Sequence, residues 1–401
     1  VIILLIYTTK EHYLEMGYST VVFNVLFKPV SYRLGAEEKD AVALEENLVS
    51  LSNSLIVFEL SLSLKTLHFR WYSSGRMIDS GELDLVKQIS RKTRMYSFLI
   101  LDPACRSYMR MGIIETAGRF LNENLIHPNA IMSSNSALLG VILRVKGKKR
   151  IIRSVNFEPI HYLHENNVSI KTPFVFASKL WSTLVERLSC DVLAISPNDL
   201  QKYRLIPSHK NLDLLPLQFL PNEIQNNVTA FIRPTNLAFL GSTFNVRHNR
   251  EGFYFLTRDV APLLIDLNIT INIYGVKTPD REVPKNVKIH GWVKNLEDVY
   301  TSNDVFLVPY QGGTGQQSKF FEPLCKEKLV IANVKAVAGF PYIAGYHYLA
   351  ASTCVEFANL IRELQSGNID SVEIAKRAGR ISTELFSIGE YRSTIHSVLM
   401  S

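Results

Sequence analysis

Short apolar runs without polar alternation recur along this chain, and most are followed by a stretch with helical spacing. A run such as VIILLIY (1–7) has no wet face, which is the situation of a strand in a parallel sheet covered on both sides by helices. Residues 8–16 have helical character and stop at Gly17, and STVVFNV (19–25) is the next strand. Further strands are expected at 54–60, 96–101, 129–132, 150–156, 191–196 and 211–217, with helices at 114–122, 136–145 and 174–188. This order predicts a doubly wound α/β sheet.

The alternation breaks at PLQFLPNEIQNNVTAFIRP (216–234), which holds three prolines, and resumes after it. Strands are expected at 236–240, 269–274, 287–289, 305–308 and 329–332, helices at 252–264 and 296–301, and another helix opening near Gln316. The reading is two α/β domains, 1–215 and 236–370, joined by a linker at 216–235, with a helical tail at 371–401 that packs back on the first domain. With 47% hydrophobic and 20% charged residues the composition is globular and excludes a disordered chain. The 1–7 run is too short to span a bilayer and lacks the basic lead and cleavage site of a signal peptide. Four cysteines lie far apart without zinc or redox spacing, so a reducing compartment and no metal site are expected. The net charge of +7 suits anionic ligands, acidic lipid or nucleic acid without choosing among them.

Chemistry concentrates in three segments. Gly312 and Gly313 open the run GGTGQQSKFFE, which follows the strand 305–308 and leads into a helix. Glycines at Gly313 and Gly315 let the backbone approach a ligand, with Thr314, Gln316, Gln317 and Ser318 between them and the helix. The free N–H groups of a first helical turn favour phosphate, and Lys319 adds a full charge there. Glu322, one turn on, can accept from sugar hydroxyls. The alternative is a glycine-rich turn carrying a surface Lys–Glu pair. No Gly-Lys-Ser/Thr ends the run and the third dinucleotide glycine is missing, so neither of those phosphate motifs applies. The second segment is Gly241-Ser242 after the strand 236–240, with Arg247 and Arg250 following; an arginine there can grip a diphosphate or simply be a solvated loop residue. The third is His290-Gly291-Trp292, where Gly291 could admit a base edge and where His290 and Trp292 are read first as structural, Trp292 as core packing.

In this order and spacing, FLGS, NREG, IHGWV, LEDVYTSNDVFLVP, GGTGQQSKFFEPL and LVIAN resemble the donor-binding half of GT-B glycosyltransferases, especially glycosyltransferase family 4, over about 236–364. EMGYSTVVF and DVLAISPND are similar to pieces of the family's other half. The resemblance implies a GT-B fold: two Rossmann-like doubly wound parallel-sheet domains facing a central cleft. It implies transfer of a sugar from a nucleoside-diphosphate sugar (UDP- or GDP-) to a hydroxyl acceptor that is a glycan, a polysaccharide or lipid-linked. It further implies retention of configuration, no cofactor and no metal, with fixed cations taking the metal's place. Lys319 then binds the donor diphosphate, Arg250 or Arg247 assists, and Glu322 binds ribose.

Three departures from the family stand out. Thr314 occupies the position where a second glutamate is frequent. TTKEHY replaces a Gly-Gly loop after the first strand. Asn156 stands, beside Glu158 on the acceptor side, where a histidine is frequent. The last two favour an alternative, a non-catalytic nucleotide-sugar-binding partner protein. Between Val141 and Arg153 lie Arg144, Lys146, Lys148, Lys149, Arg150 and Arg153 with no acid. This run is expected either to be solvated or to give peripheral contact with an anionic membrane from the cytoplasmic face. It lacks interleaved aromatics, so nucleic acid is not expected.

Overall fold

The computed structural model describes residues 19–26, 36–52, 54–61, 66–133, 135–218, 233–310, 312 and 314–401. The expected strand 1–7, the helix 8–16, TTKEHY, most of the linker and Gly313 lie outside the described residues. The described residues form two compact units. The first takes the residues up to Pro159, Ser169–Gln218 and Ile388–Ser401; the second takes Ile160–Val168 and the residues onward to Ser387. Two stretches therefore depart from a sequential split at 215 and 371. Residues 160–168 group with the second unit, and of the expected tail only Ile388–Ser401 groups with the first. The helix Ser371–Leu385 instead packs on the helix Ser318–Cys325 of the second unit.

The first unit is built on an eight-stranded sheet. Its strands are β1 (Ser19–Leu26), β2 (Ser54–Ser61), β3 (Thr66–Ser73), β4 (Arg76–Asp84), β5 (Ala130–Ser133), β6 (Lys149–Ser154), β7 (Asp191–Ala194) and β8 (Leu212–Leu214), in the order β4-β3-β2-β1-β5-β6-β7-β8. Alternate residues feed opposite faces, as a pleated strand requires. Ile56, Phe58, Ile131 and Ile152 enter one core with Phe120 and Met109. Leu55, Val57, Met132 and Ile151 enter the other, closed by Tyr391, Ile395 and Val398 of the helix Ile388–Met400.

This sheet is not parallel throughout: β3 and β4 run antiparallel to their neighbours. Ser74 (φ 46°) and Gly75 (φ 79°) make the left-handed two-residue turn that a hairpin favours. The run 96–101, read as a strand, is instead the end of a helix, Arg91–Leu99, because Ser90 caps it by accepting from the Thr93 N–H.

The second sheet is parallel, in the order β11-β10-β9-β12-β13-β14. Its strands are β9 (Asn236–Thr243), β10 (Thr270–Val276), β11 (Val287–Gly291), β12 (Val305–Val308), β13 (Leu329–Ala332) and β14 (Leu349–Ala350). The chain winds outward from β9 to β11, then returns to β12 on the other side of β9. The sheet therefore has a topological switch point between β9 and β12, and a crevice opens outside their carboxyl ends. The loops that leave those two strands carry Gly241-Ser242 and the 312–318 run.

Candidate functional site

At the carboxyl end of β9 the backbone is packed too tightly for side chains. A Cβ on Gly241 would collide with the Phe244 ring. Gly275 (φ +143°) lets β10 pass so close that its Cβ would lie 3.2 Å from the Gly241 carbonyl carbon. Ser242 is left-handed at φ 42°. Asn249, buried on the helix Arg247–Tyr254, holds this turn: its Nδ2 donates to the Gly241 carbonyl and, at 3.0 Å, to the Thr243 carbonyl.

The remaining atom of that carboxamide reaches the other loop. Asn249 Oδ1 accepts from the Lys319 ammonium. Lys319 is the second residue of the helix Ser318–Cys325, whose N-cap Gln317 gives no side-chain cap; the Phe320 and Phe321 N–H groups donate to the Gln317 carbonyl, and those of Ser318 and Lys319 remain to be satisfied. Phe320 and Phe321 anchor this helix edge-on against Tyr342, Tyr348 and Phe340. The Lys319 ammonium lies 5.7 Å from the Phe239 ring centre. Burial of the charge pulls the lysine down to about 8, with the Glu165 carboxylate opposing. Lys319 thus forgoes part of its hydration without gaining a contacting acid, an arrangement that an arriving anion would relieve.

Around it, Gly312 (φ +140°) and Gly315 (φ +77°) shape the loop, Thr314, Gly315 and Gln316 are buried, and Gln317 and Ser318 are partly exposed. Glu322 is buried one turn into the helix, close to the Tyr300 hydroxyl. Burial first, and then the Glu322 charge, push that phenol well above its usual value.

Three residues here escaped the sequence reading. Asn249 sits inside the NREG piece but between the two arginines that drew attention. His248 Nδ1 lies 2.5 Å from Glu165 Oε1, with its ring edge-on to Tyr310 at 5.6 Å. Burial lowers the His248 imidazole despite Glu165, and Lys319 adds to the lowering. Burial acts to raise the Glu165 carboxyl, but His248 and His161 outweigh it and hold it below the usual range. A Cβ on Gly312 would sit 3.4 Å from His164 Cε1. The only signal was HYLHE, which sets His161, His164 and Glu165 at helical spacing.

The expected arginines are less central. Arg247 pairs with Glu251 at 2.7 Å on the helix surface and donates to the Asn166 carbonyl at 3.3 Å. Arg250 donates to the Asn245 carbonyl at 3.2 Å. Gly291 ends edge strand β11 at φ +70° with open space at its Cβ. Beside it His290 stacks on Tyr274 at 4.6 Å and shares a 2.7 Å hydrogen bond with Asn272, a structural role. Trp292 is 48% exposed, so the core packing expected of it does not occur: it follows β11, the edge strand of its sheet.

In the first unit, the Glu158 carboxylate accepts from Lys179 at 2.8 Å, and the same ammonium reaches Asp102 at 3.2 Å. The Asn156 carbonyl accepts from Ser154 Oγ at 2.8 Å just past β6. The basic run does not form one surface. Arg153 is fully buried, donating to the Tyr391 hydroxyl at 2.9 Å and to the carbonyls of Leu215 and Pro216, which removes it from any membrane contact. Arg144 lies over the Tyr96 ring and Lys149 pairs with Asp191 at 3.2 Å, while Lys146 and Lys148 are exposed. No helix among the described residues is long and apolar enough to cross a membrane.

A parallel six-stranded sheet with glycine loops and a half-buried lysine at its switch point defines a Rossmann-like unit with a cationic crevice. Residues 234–366 match the family described as "Glycosyl transferases group 1". The chain is similar in fold to sucrose-phosphate synthase from Thermosynechococcus elongatus (13% identity, TM-score 0.65, 95% of this chain and 98% of that one). It is also similar to Anabaena HepE in complex with UDP-glucose (12%, 0.60, 95% and 99%). A third likeness is to the catalytic domain of starch synthase IV from Arabidopsis thaliana bound to ADP and acarbose (10%, 0.57, 96% and 99%). No curated protein matches the chain in sequence. The fold is GT-B, with two Rossmann-like units, and the enzyme class is transferase.

Proposed function

We propose that the protein moves a glycosyl group from a nucleoside-diphosphate sugar to a hydroxyl acceptor. The observation that carries this is the Lys319–Asn249 contact, which holds a half-buried ammonium at the carboxyl ends of β9 and β12. Lys319 and the first-turn amides of its helix bind the diphosphate, the Gly241-Ser242 turn and residues 313–318 approach it through backbone, and Glu322 accepts from ribose hydroxyls. Arg250 and Arg247 assist from the rim, and Gly291 meets the base. The donor is a UDP- or GDP-sugar; HepE, similar in fold, is solved with UDP-glucose.

As the bond from the anomeric carbon to the diphosphate oxygen breaks, charge grows on that oxygen and Lys319 stabilises it. The acceptor oxygen bonds the anomeric carbon from the same face, and its proton passes to the departing phosphate oxygen, so configuration is retained. Fixed cations supply the charge a metal otherwise would. Asn156 and Glu158 belong to the acceptor side, and the acceptor is a glycan, a polysaccharide or lipid-linked. Peripheral contact with an anionic membrane at the cytoplasmic face rests on the exposed Lys146 and Lys148.

A second reading, a nucleotide-sugar-binding partner without turnover, is favoured by Asn156 and by the engagement of Glu158 with Lys179. Melting curves with UDP, GDP and ADP, followed by donor hydrolysis, separate the two. Stabilisation by UDP and slow UDP release from UDP-glucose, both lost in Lys319→Ala, are expected of the transferase. Stabilisation without release from any donor supports the partner. No stabilisation by any nucleotide overturns both.

A further inference from the structure

A separate pocket of about 600 Å³ opens in the first unit, lined by Lys148, Lys149, Arg150, Asp191, His209, Lys210 and neighbouring residues. Lys149 opens β6, Asp191 opens β7, and Asn129 and Asn211 immediately precede β5 and β8. These four strands are parallel, so the pocket lies at their amino ends. Asn156 follows the opposite, carboxyl end of β6, and the pocket is therefore distinct from the acceptor side.

The wall is held in shape by its one acid. Asp191 accepts from the Asn211 backbone N–H at 2.9 Å and pairs with Lys149 at 3.2 Å. Arg150 is oriented by its Nε, which donates to the Ile142 carbonyl at 3.1 Å, and the rest of its guanidinium remains for another partner. Lys148 and Lys210 have no acidic partner among the described residues. Among the lining side chains, Lys148, Lys149, Arg150 and Lys210 set against Asp191 leave three positive charges around one cavity, before any contribution from His209. A concave site with one sign of charge concentrates counter-ions. Apart from the His209 imidazole the lining holds no ring on which a base could stack, which favours phosphate itself over a nucleobase.

We propose that this pocket is a second site, independent of the donor crevice, for a compound carrying several phosphate charges, either soluble or presented by a lipid headgroup. The inference does not depend on the glycosyl-transfer reading, and its test reads binding rather than turnover. Inorganic tripolyphosphate is titrated calorimetrically into the Lys319→Ala chain, where the donor crevice is weakened, and in parallel into wild type saturated with UDP in case that variant fails to fold. One binding event is expected. It should weaken as potassium chloride is raised and be at least about tenfold weaker in Lys148→Glu/Lys210→Glu, whose melting temperature reports its folding.

Sedimentation with vesicles of phosphatidylcholine containing phosphatidylinositol 4,5-bisphosphate, against phosphatidylcholine alone, separates the sources. Capture that tripolyphosphate reverses and the double variant lacks assigns a headgroup; tripolyphosphate binding without capture assigns a soluble phosphate compound. Tripolyphosphate binding that the double variant leaves unchanged, or no binding in either titration, overturns the proposal.

Discussion

The carboxamide of Asn249 joins the two loops of the switch point: its oxygen accepts from Lys319 while its nitrogen donates to the Gly241 and Thr243 carbonyls. No other side chain of the helix Arg247–Tyr254 is buried with polar partners on both loops, and this makes Asn249 the position from which the crevice is organised.

Asn249→Ala removes that tie and leaves the half-buried ammonium without its acceptor. A hydrogen bond to a charged group contributes roughly 1.5–3 kcal/mol, so UDP affinity should fall about ten- to hundredfold in a calorimetric titration. Asn249→Asp keeps an acceptor but supplies Lys319 with a carboxylate that competes with the diphosphate, and it should also bind UDP less well than wild type. Wild-type affinity in Asn249→Asp would show that the Lys319 charge does not face the ligand.

The position of Lys319 near 8 gives a sign for pH. Burial lowers it from 10.5, so the folded chain releases this proton before the unfolded chain does. The stability penalty of the buried charge is therefore present below about 8 and is relieved as pH rises from there toward 10.5. Diphosphate affinity should move the other way, declining as pH rises through about 8 because the ammonium is lost. Dissociation constants for UDP across that range, compared with Lys319→Arg, which does not titrate there, measure it. An identical slope in both proteins would assign the effect elsewhere.

In the first unit, Glu186 is fully buried and accepts from Tyr203 at 2.8 Å, and Tyr203 in turn contacts Ser154 at 2.8 Å below the Asn156 loop. Burial raises its carboxyl from 4.5 to about 7, against the hydrogen bonds of Tyr203 and Ser136 and with help from the Glu158 charge. A raised carboxyl contributes stability that is complete below the unfolded value and is lost as pH climbs through about 7. The swing is about 3 kcal/mol between the two limits. Urea midpoints at acid and mildly alkaline pH should differ accordingly in wild type and converge in Glu186→Gln. Equal pH slopes in the two proteins would exclude Glu186 as the source.

Much of the architecture was legible because a parallel strand buried on both faces leaves a continuous apolar trace. VFLV became β12 and LVIA became β13 with the bounds read from the chain. The helix holding Lys319 and Glu322 was legible for a related reason, since glycines must sit where a loop turns tightly before a helix. The hairpin β3–β4 went unread although Thr66–Ser73 alternates in burial and Ser74-Gly75 turns it, because its pattern is that of an antiparallel edge. The run 96–101 was misassigned because an apolar stretch this short fits a helix end as well as a strand, and the Ser90 cap decided it.

Local sequence therefore determined which segments became strands and helices and where glycine and lysine stood along them, since periodicity and backbone freedom act over a few neighbouring residues. Only the tertiary structure decided which partners those residues met. It gave Lys319 the carboxamide of Asn249, set His248 against Glu165 and buried Arg153 beneath Tyr391. Such pairings depend on how distant segments pack and on which charges lose their water, and neither is written in the spacing of residues along the chain.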